Sequence, residues 1–304
     1  MTRKLIGVSC HDAGAAEIIS SYVLHHLASY KFIYSLSGPA TKIFEKKVGK
    51  FENNSIDSLL QQSDCIYSGT GWNSENEITG IMKALSLNKY SIVFLDHWVN
   101  YKERFEFKGK QFLPNEIWVS DIYAENKALE LFKGVKIKLI KNYFLNDLKD
   151  KYKKVSCLQK KKSKNLRALF LSDNNNSVID SGFVKDNSSI CKDEEMARYF
   201  LENISLLAKD VDQVVIRPHP SELQTMSKYK SIFDKYKVPF VIGGKSDLLE
   251  EISSSDLIVG GDSMALVISA IACGKKTYTC VPPEAKYTLP YKEIQEIRKI
   301  KKDL

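Results

Sequence analysis

Short runs of apolar and β-branched residues alternate with amphipathic stretches along the whole chain. Such alternation is the pattern of βαβ units, which build parallel sheets covered by helices. In the first half the strand-like runs are Lys4–Ser9, Phe32–Leu36, Cys65–Tyr67, Ser91–Leu95, Glu116–Val119 and Val135–Ile140. Helical spacing over Ala15–Ser29, Thr41–Val48, Glu75–Leu87 and Tyr123–Phe132 separates them. The second half repeats the design. Its strands fall at Leu166–Leu171, Gln213–Ile216, Phe240–Ile242, Leu257–Val259 and Lys276–Thr279. Its helices fall at Asp193–Leu207, Leu248–Ser253 and Ser263–Ala272. The tail Tyr291–Leu304 spaces Ile294, Ile297, Ile300 and Leu304 as an amphipathic helix would. The expected fold class is α/β, with two Rossmann-type α/β/α domains facing a central cleft.

The 304 residues suit two domains. Between the halves, residues 151–164 (KYKKVSCLQKKKSK) hold seven lysines and no acid. The chain's formal charge of +8 falls to +1 without them, so the excess is local. This segment reads as a solvated basic linker or helix end. It joins an N-terminal domain (1–150) to a C-terminal one (165–290), and 291–304 is the terminal helix. A local lysine block without interleaved aromatics other than Tyr152 does not point to nucleic acid. It is a candidate for weak peripheral attachment to anionic lipid at the inner face of a membrane. No apolar run reaches the roughly 20 residues of a membrane span. Leu5–Cys10 is too short for a signal-peptide core. The six cysteines form no CxxC and no Cys/His spacing, which fits reduced thiols in the cytoplasm. No metal and no other cofactor is expected.

In open α/β sheets ligands sit at the carboxyl ends of strands, so the residues just after each strand carry the functional reading. After the first strand come His11, Asp12, Ala13 and Gly14, with small residues that let backbone amides approach an anion at a helix start. Asp12 is equally suited to cap that helix. Ser68-Gly69-Thr70-Gly71-Trp72 forms a polar loop after the third strand, and Trp72 is suited to wall a sugar ring. Ser74 and Glu77 read as a capping box. Asp96 and His97 end the fourth strand, with Arg104 close behind. One of the two is a candidate general base and the other structural. Asp121 or Ser120 reads as a helix N-cap.

The second half is more sharply marked. Val214-Val215-Ile216 runs into Arg217-Pro218-His219-Pro220-Ser221-Glu222, where two prolines restrict the backbone around His219. Arg217 supplies a fixed charge and His219 a hydrogen-bond donor suited to phosphate. Further on, Gly260-Gly261-Asp262-Ser263 makes a glycine turn from strand to helix. Amides near Ser263 and its hydroxyl would meet a phosphate there, and Ser263 would also serve as N-cap.

The Arg217-Pro218-His219-Pro220 turn, with Gly260-Gly261-Asp262-Ser263 and Ala272-Cys273-Gly274-Lys275-Lys276, resembles the C-terminal half of bacterial sialyltransferases and Kdo transferases. These are nucleotide-sugar glycosyltransferases of the GT-B fold. The resemblance implies that His219 contacts the donor phosphate and helps the leaving group depart, and that Ser263 binds the same phosphate. It also implies a CMP-linked, sialic-acid-like or Kdo-like donor, metal-independent transfer in surface glycan or polysaccharide assembly, and a glycan or lipid-linked acceptor. The acidic-acidic-glycine motif of the sialyltransferases is represented only by Asp12-Ala13-Gly14. Asp12, with Asp96 second, is the candidate base. Arg217, His219, Ser221, Glu222 and Gly260 to Ser263 are the candidate phosphate contacts. His11, Gly14, Ser68, Thr70, Trp72 and Arg104 are the candidate acceptor contacts. Sugar-nucleotide 2-epimerases share a His-Pro-like turn on this fold, so a nucleotide-sugar epimerase or hydrolase is the rival reading. A non-catalytic nucleotide-sugar binder is the other.

Overall fold

The computed structural model describes residues 3–71, 74–158, 166–175, 191–220, 222 and 227–302. The chain divides into two compact units, Met1–Asp147 and Leu148–Leu304.

The strands of the first unit are β1 (Leu5–Cys10), β2 (Lys31–Leu36), β3 (Cys65–Ser68), β4 (Tyr90–Phe94), β5 (Glu106–Phe107), β6 (Lys110–Gln111), β7 (Glu116–Val119) and β8 (Lys136–Leu139). Six of them form one parallel sheet in the order β2-β1-β3-β4-β7-β8, while β5 and β6 pair as a small antiparallel hairpin. The helices are α1 (Ala13–His26), α2 (Gly38–Val48), α3 (Ile56–Gln62), α4 (Asn76–Ser86) and α5 (Ile122–Leu131). The central strands are buried nearly throughout because both faces are covered. On one face Tyr67, Phe94 and Trp118 stand on adjacent strands and meet Tyr22 of α1, with ring centroids 5.2 to 5.9 Å apart. Elsewhere Ile66 of β3 packs with Leu59 and Leu60 of α3 and Ala84 of α4.

Helix α6 (Tyr143–Leu158) carries the chain across the boundary between the units. Lys151, Lys153 and Lys154, expected in a linker, stand on its last turns; residues 159–164 lie outside the described residues. The second unit has β9 (Arg167–Leu171), β10 (Gln213–Arg217), β11 (Phe240–Ile242), β12 (Leu257–Gly260), β13 (Lys276–Thr279) and β14 (Ile294–Glu296), parallel in the order β11-β10-β9-β12-β13-β14. Its helices are α7 (Asp193–Glu202), α8 (Ile204–Leu207), α9 (Ser227–Tyr236), α10 (Leu248–Ser253), α11 (Met264–Val267, continued by a π turn over Ile268–Ala272) and α12 (Ile297–Ile300). Phe170, Phe200, Tyr229 and Phe233 centre its core. Each such side chain contributes about 1.5–3 kcal/mol on burial.

Two expectations are corrected. The terminal amphipathic helix over Tyr291–Leu304 is not formed as such: Ile294–Glu296 joins the sheet beside β13, and only Ile297–Ile300 is helical. Ile294 and Ile297 are both buried, so a strand followed at once by a helical turn satisfies the same three-residue spacing. The single helix expected over Asp193–Leu207 breaks at Asn203, whose side chain donates to the Tyr199 carbonyl at 2.7 Å. Among the described residues, no helix is long and apolar enough to cross a membrane.

Candidate functional site

Each sheet reverses its strand order once, between β1 and β3 in the first unit and between β9 and β12 in the second. Helices on either side of such a reversal leave the adjacent strands for opposite faces, and ligands bind outside the carboxyl ends there. Polar residues gather at both reversals.

In the first unit, β1 ends at Cys10 and His11–Asp12 lead into α1. Glu77, near the start of α4, is only 2% exposed. Its Oε1 accepts from the backbone amides of His11 (2.6 Å) and Asp12 (3.0 Å). Those amides were expected to meet a ligand anion, and the chain's own carboxylate occupies them. The expected capping box is accordingly absent: Ser74 Oγ accepts from the Asn76 amide at 3.0 Å, while Glu77 turns to the β1 loop. Asp12 holds the N-cap position of α1 without a side-chain capping hydrogen bond. The His11 ring lies against Gly38, with Nδ1 3.7 Å from Asp12 Oδ1.

Asp96 follows β4, and its carboxylate lies over Gly14, where a Cβ would collide with Oδ2. Oδ1 accepts from Thr70 Oγ1 and Arg104 Nη1, both at 3.3 Å, and Arg104 Nη1 also donates to Thr70 Oγ1 at 2.9 Å. Thr70 and Arg104 are 1% and 7% exposed. They were expected at the acceptor; buried and bonded to Asp96, they orient that carboxylate instead. Ser68, also expected there, is fully buried and donates to the Gly69 carbonyl at 3.2 Å. His97 Nδ1 accepts the Trp98 amide at 3.1 Å, which leaves the proton of the neutral ring on Nε2. Burial lowers the pKa of His97 below its usual value, against the pull of Asp96 and with the help of Arg104 and Lys127. Trp72 lies outside the described residues. Asp121 caps α5, accepting from the Ala124 amide at 2.8 Å, and Asn142 donates to the Ser120 hydroxyl at 3.1 Å.

In the second unit, the turn after β10 is braced internally. Arg217 Nη1 donates to Glu251 Oε2 at 2.7 Å and to the Ser246 carbonyl at 3.0 Å. A carboxylate thus already neutralises the charge expected to meet phosphate. Glu222, likewise expected at phosphate, is 3% exposed, pairs with Lys228, and accepts the His219 amide at 2.9 Å. Burial opposes its ionisation, but donation from Lys228, Ser172 and the His219 amide outweighs burial and lowers its pKa. Lys228 also meets the buried Asp193 at 2.9 Å. The His219 side chain is left at the surface of this brace. Partial desolvation lowers its pKa, with Glu222 and Asp193 opposing. Ser221 lies outside the described residues.

At the reversal itself, Gly260 ends β12 and Gly261–Ser263 lead into α11. Asp262 was expected at phosphate, yet its carboxylate binds the loop opposite. Thr288 Oγ1 and the Thr288 amide donate to Oδ2 at 2.6 and 3.0 Å, and the Leu289 amide to Oδ1 at 3.1 Å. Burial nevertheless raises its pKa. Ser263 holds the N-cap position without a side-chain capping hydrogen bond, and its hydroxyl is buried beside the Asp173 carboxyl. Asp173, which sequence reasoning missed, follows β9 and accepts the Asp262 amide on Oδ2 at 2.6 Å. Its signal was present: it is an acid just after the first strand of its half, as Asp12 is in the other. Among the described residues, no group of three or more His, Cys, Asp or Glu side chains is placed to hold a metal ion.

No protein-family model matches the chain, and no curated protein matches it in sequence. Solved structures do match in shape. A candidate UDP-N-acetylglucosamine 2-epimerase from Listeria monocytogenes superposes with a TM-score of 0.59 at 11% identity, over 92% of this chain and 79% of that one. HepE of Anabaena, solved with UDP, gives 0.57 at 10% identity over 91% and 80%. A UDP-glucosyltransferase from Polygonum tinctorium gives 0.50 at 10% identity over 94% and 81%. These likenesses show the fold, two Rossmann-type units of the GT-B kind.

Proposed function

We propose that the chain is a glycosyltransferase, moving a sugar from a nucleotide-activated donor to a glycan or lipid-linked acceptor in surface polysaccharide assembly. The supporting observation is the second sheet, whose strand order is the doubly wound nucleotide-binding one, with Gly260–Ser263 at its reversal. Asp12, whose carboxylate does not cap α1, takes the proton of the acceptor hydroxyl. Asp96, oriented by Arg104 and Thr70, is the second candidate for that role. His219, with its lowered pKa, is a neutral donor near neutral pH and stabilises charge growing on the departing phosphate. Ser263, at the start of α11, binds the same phosphate.

The resemblance in the sequence suggests CMP as the donor nucleotide, whereas the structural neighbours include a protein solved with UDP and a UDP-glucosyltransferase. We favour a UDP-linked donor. Thermal-shift measurements with CMP, UDP and GDP separate the two, since a tight ligand stabilises the fold by mass action. Stabilisation by UDP is expected; stabilisation by CMP alone would restore the sialic-acid-like or Kdo-like donor. A second reading, sugar-nucleotide epimerisation, is favoured by the Listeria structure. Product analysis with donor alone decides it, because transfer needs an acceptor. His219→Ala should abolish turnover with the fold intact, and full activity in that variant would overturn the role given to His219.

A further inference from the structure

Asp173 stands at the carboxyl end of β9, where the second sheet reverses its strand order. The turn after β12 closes on it: Oδ2 accepts the Asp262 amide at 2.6 Å, and Gly261 has no room for a Cβ because the Asp173 carboxylate and Met196 Sδ fill that space. Oδ1 is inaccessible and has no hydrogen-bond partner, and the Ser263 hydroxyl is buried beside the carboxyl. A carboxyl group therefore occupies the place where a nucleotide-binding sheet receives a phosphate. Its neighbours do not neutralise it. Asp193 of α7 faces it with Lys228 of α9 as that residue's own partner, Asp262 faces it from the turn after β12, and the Cys280 thiol faces it from beyond β13.

We infer that Asp173 is a proton-linked element of the nucleotide site, so that the pyrophosphate of a nucleoside diphosphate sugar binds the second unit together with one proton held on Oδ1 of Asp173. This rests on the nucleotide-sugar reading above and names a determinant of that site. The proton comes from solvent and stays on the buried Oδ1, and neutralising the carboxyl removes its repulsion of the incoming pyrophosphate. No bond of the ligand forms or breaks. Burial pushes Asp173 up to about 7, with Asp193 and Asp262 adding to the rise and the Asp262 amide and Ser263 opposing it. At lower pH the acid is already neutral and binding takes up no proton. At higher pH binding must take one up, and affinity falls toward tenfold per pH unit.

The test is calorimetric titration of the full chain with UDP-glucose, whose pyrophosphate is a diester with no second proton to lose. Buffers of different ionisation enthalpy report the protons taken up. At about pH 8.5 uptake should approach one proton and binding should be about tenfold or more weaker than at about pH 6. Asp173→Asn should bind equally at both values with no uptake from this group. His219→Ala should keep the uptake, which removes the other titrating group from the account and stands alone should Asp173→Asn fail to fold. Equal wild-type affinity at both pH values, uptake that persists in Asp173→Asn, or uptake lost in His219→Ala would each overturn the inference and leave the nucleotide-sugar reading intact. No binding of UDP-glucose or of any other nucleoside diphosphate sugar would overturn both.

Discussion

Two carboxylates in this protein are seated on glycines, Asp96 over Gly14 and Asp173 beside Gly261, and in each case a methyl group would strike the acid. Gly261→Ala should therefore cost about 1–3 kcal/mol, as overpacking does, measured as a shift in denaturant midpoint. Asp173 carries a pH signature of its own. Its unfolded carboxyl ionises near the ordinary aspartate value, while the folded one is pushed up to about 7. The folded state is thus spared below about pH 4, penalised progressively between the two values, and penalised fully above the folded one. Asp173→Asn should raise stability by up to about 4 kcal/mol at about pH 8.5, and that gain should vanish by about pH 4 in paired denaturation curves. Residues of this kind divide by what sequence can show. The His219 turn and the Gly260–Ser263 turn declare themselves within a few neighbouring residues. The contacts of Glu77 and Asp173 do not, because their partners lie 66 and 89 positions away, although Asp173 is marked by its place just after a strand.

Among the elements, β7, β11 and β13 agree with the sequence reading to the residue because turn-forming residues bracket them, Pro114-Asn115 before β7, Pro239 and Gly243 around β11 and Gly274 before β13. Other elements leave weaker traces. Helix α3 has seven residues, and its start depends on Ser55 accepting from the Ser58 amide at 3.2 Å. Strand β14 has three residues and is a strand only because β13 offers it an open edge. That edge assignment can be checked. Ile294 is 3% exposed and paired with Thr277, so Ile294→Ala should cost about 2–5 kcal/mol. An exposed helical tail would lose less than about 1 kcal/mol by the same change. Hydrogen exchange on β13 should quicken in that variant.

For the whole molecule, two parallel sheets were legible from alternation alone, with all six strands of the first and five of the six in the second, since the α/β class is the one that reads strand, helix, strand in this way twice over. Of the seven lysines in the basic segment, Lys151, Lys153 and Lys154 stand on the end of α6, and the other four lie outside the described residues. Lys151 and Lys153 make exposed ion pairs with Asp247 and Asp150, of the kind worth about 0–1 kcal/mol. Replacing the seven lysines of 151–164 by glutamine should therefore leave the melting temperature nearly unchanged. Salt-sensitive attachment to vesicles of anionic lipid, measured by co-sedimentation, should be lost with them.

The Glu77 carboxylate beside the turn after β1 also sets how this turn would receive a ligand. By holding the amides of His11 and Asp12, it acts as a built-in stand-in for a bound anion, so the turn is assembled before anything arrives. Binding there need not spend free energy on ordering the loop. Those two amides should exchange slowly with solvent in the empty protein and change little when it is filled. Glu77→Ala should instead leave a loop that orders only on binding, trading rapid recognition for a conformational penalty at every encounter.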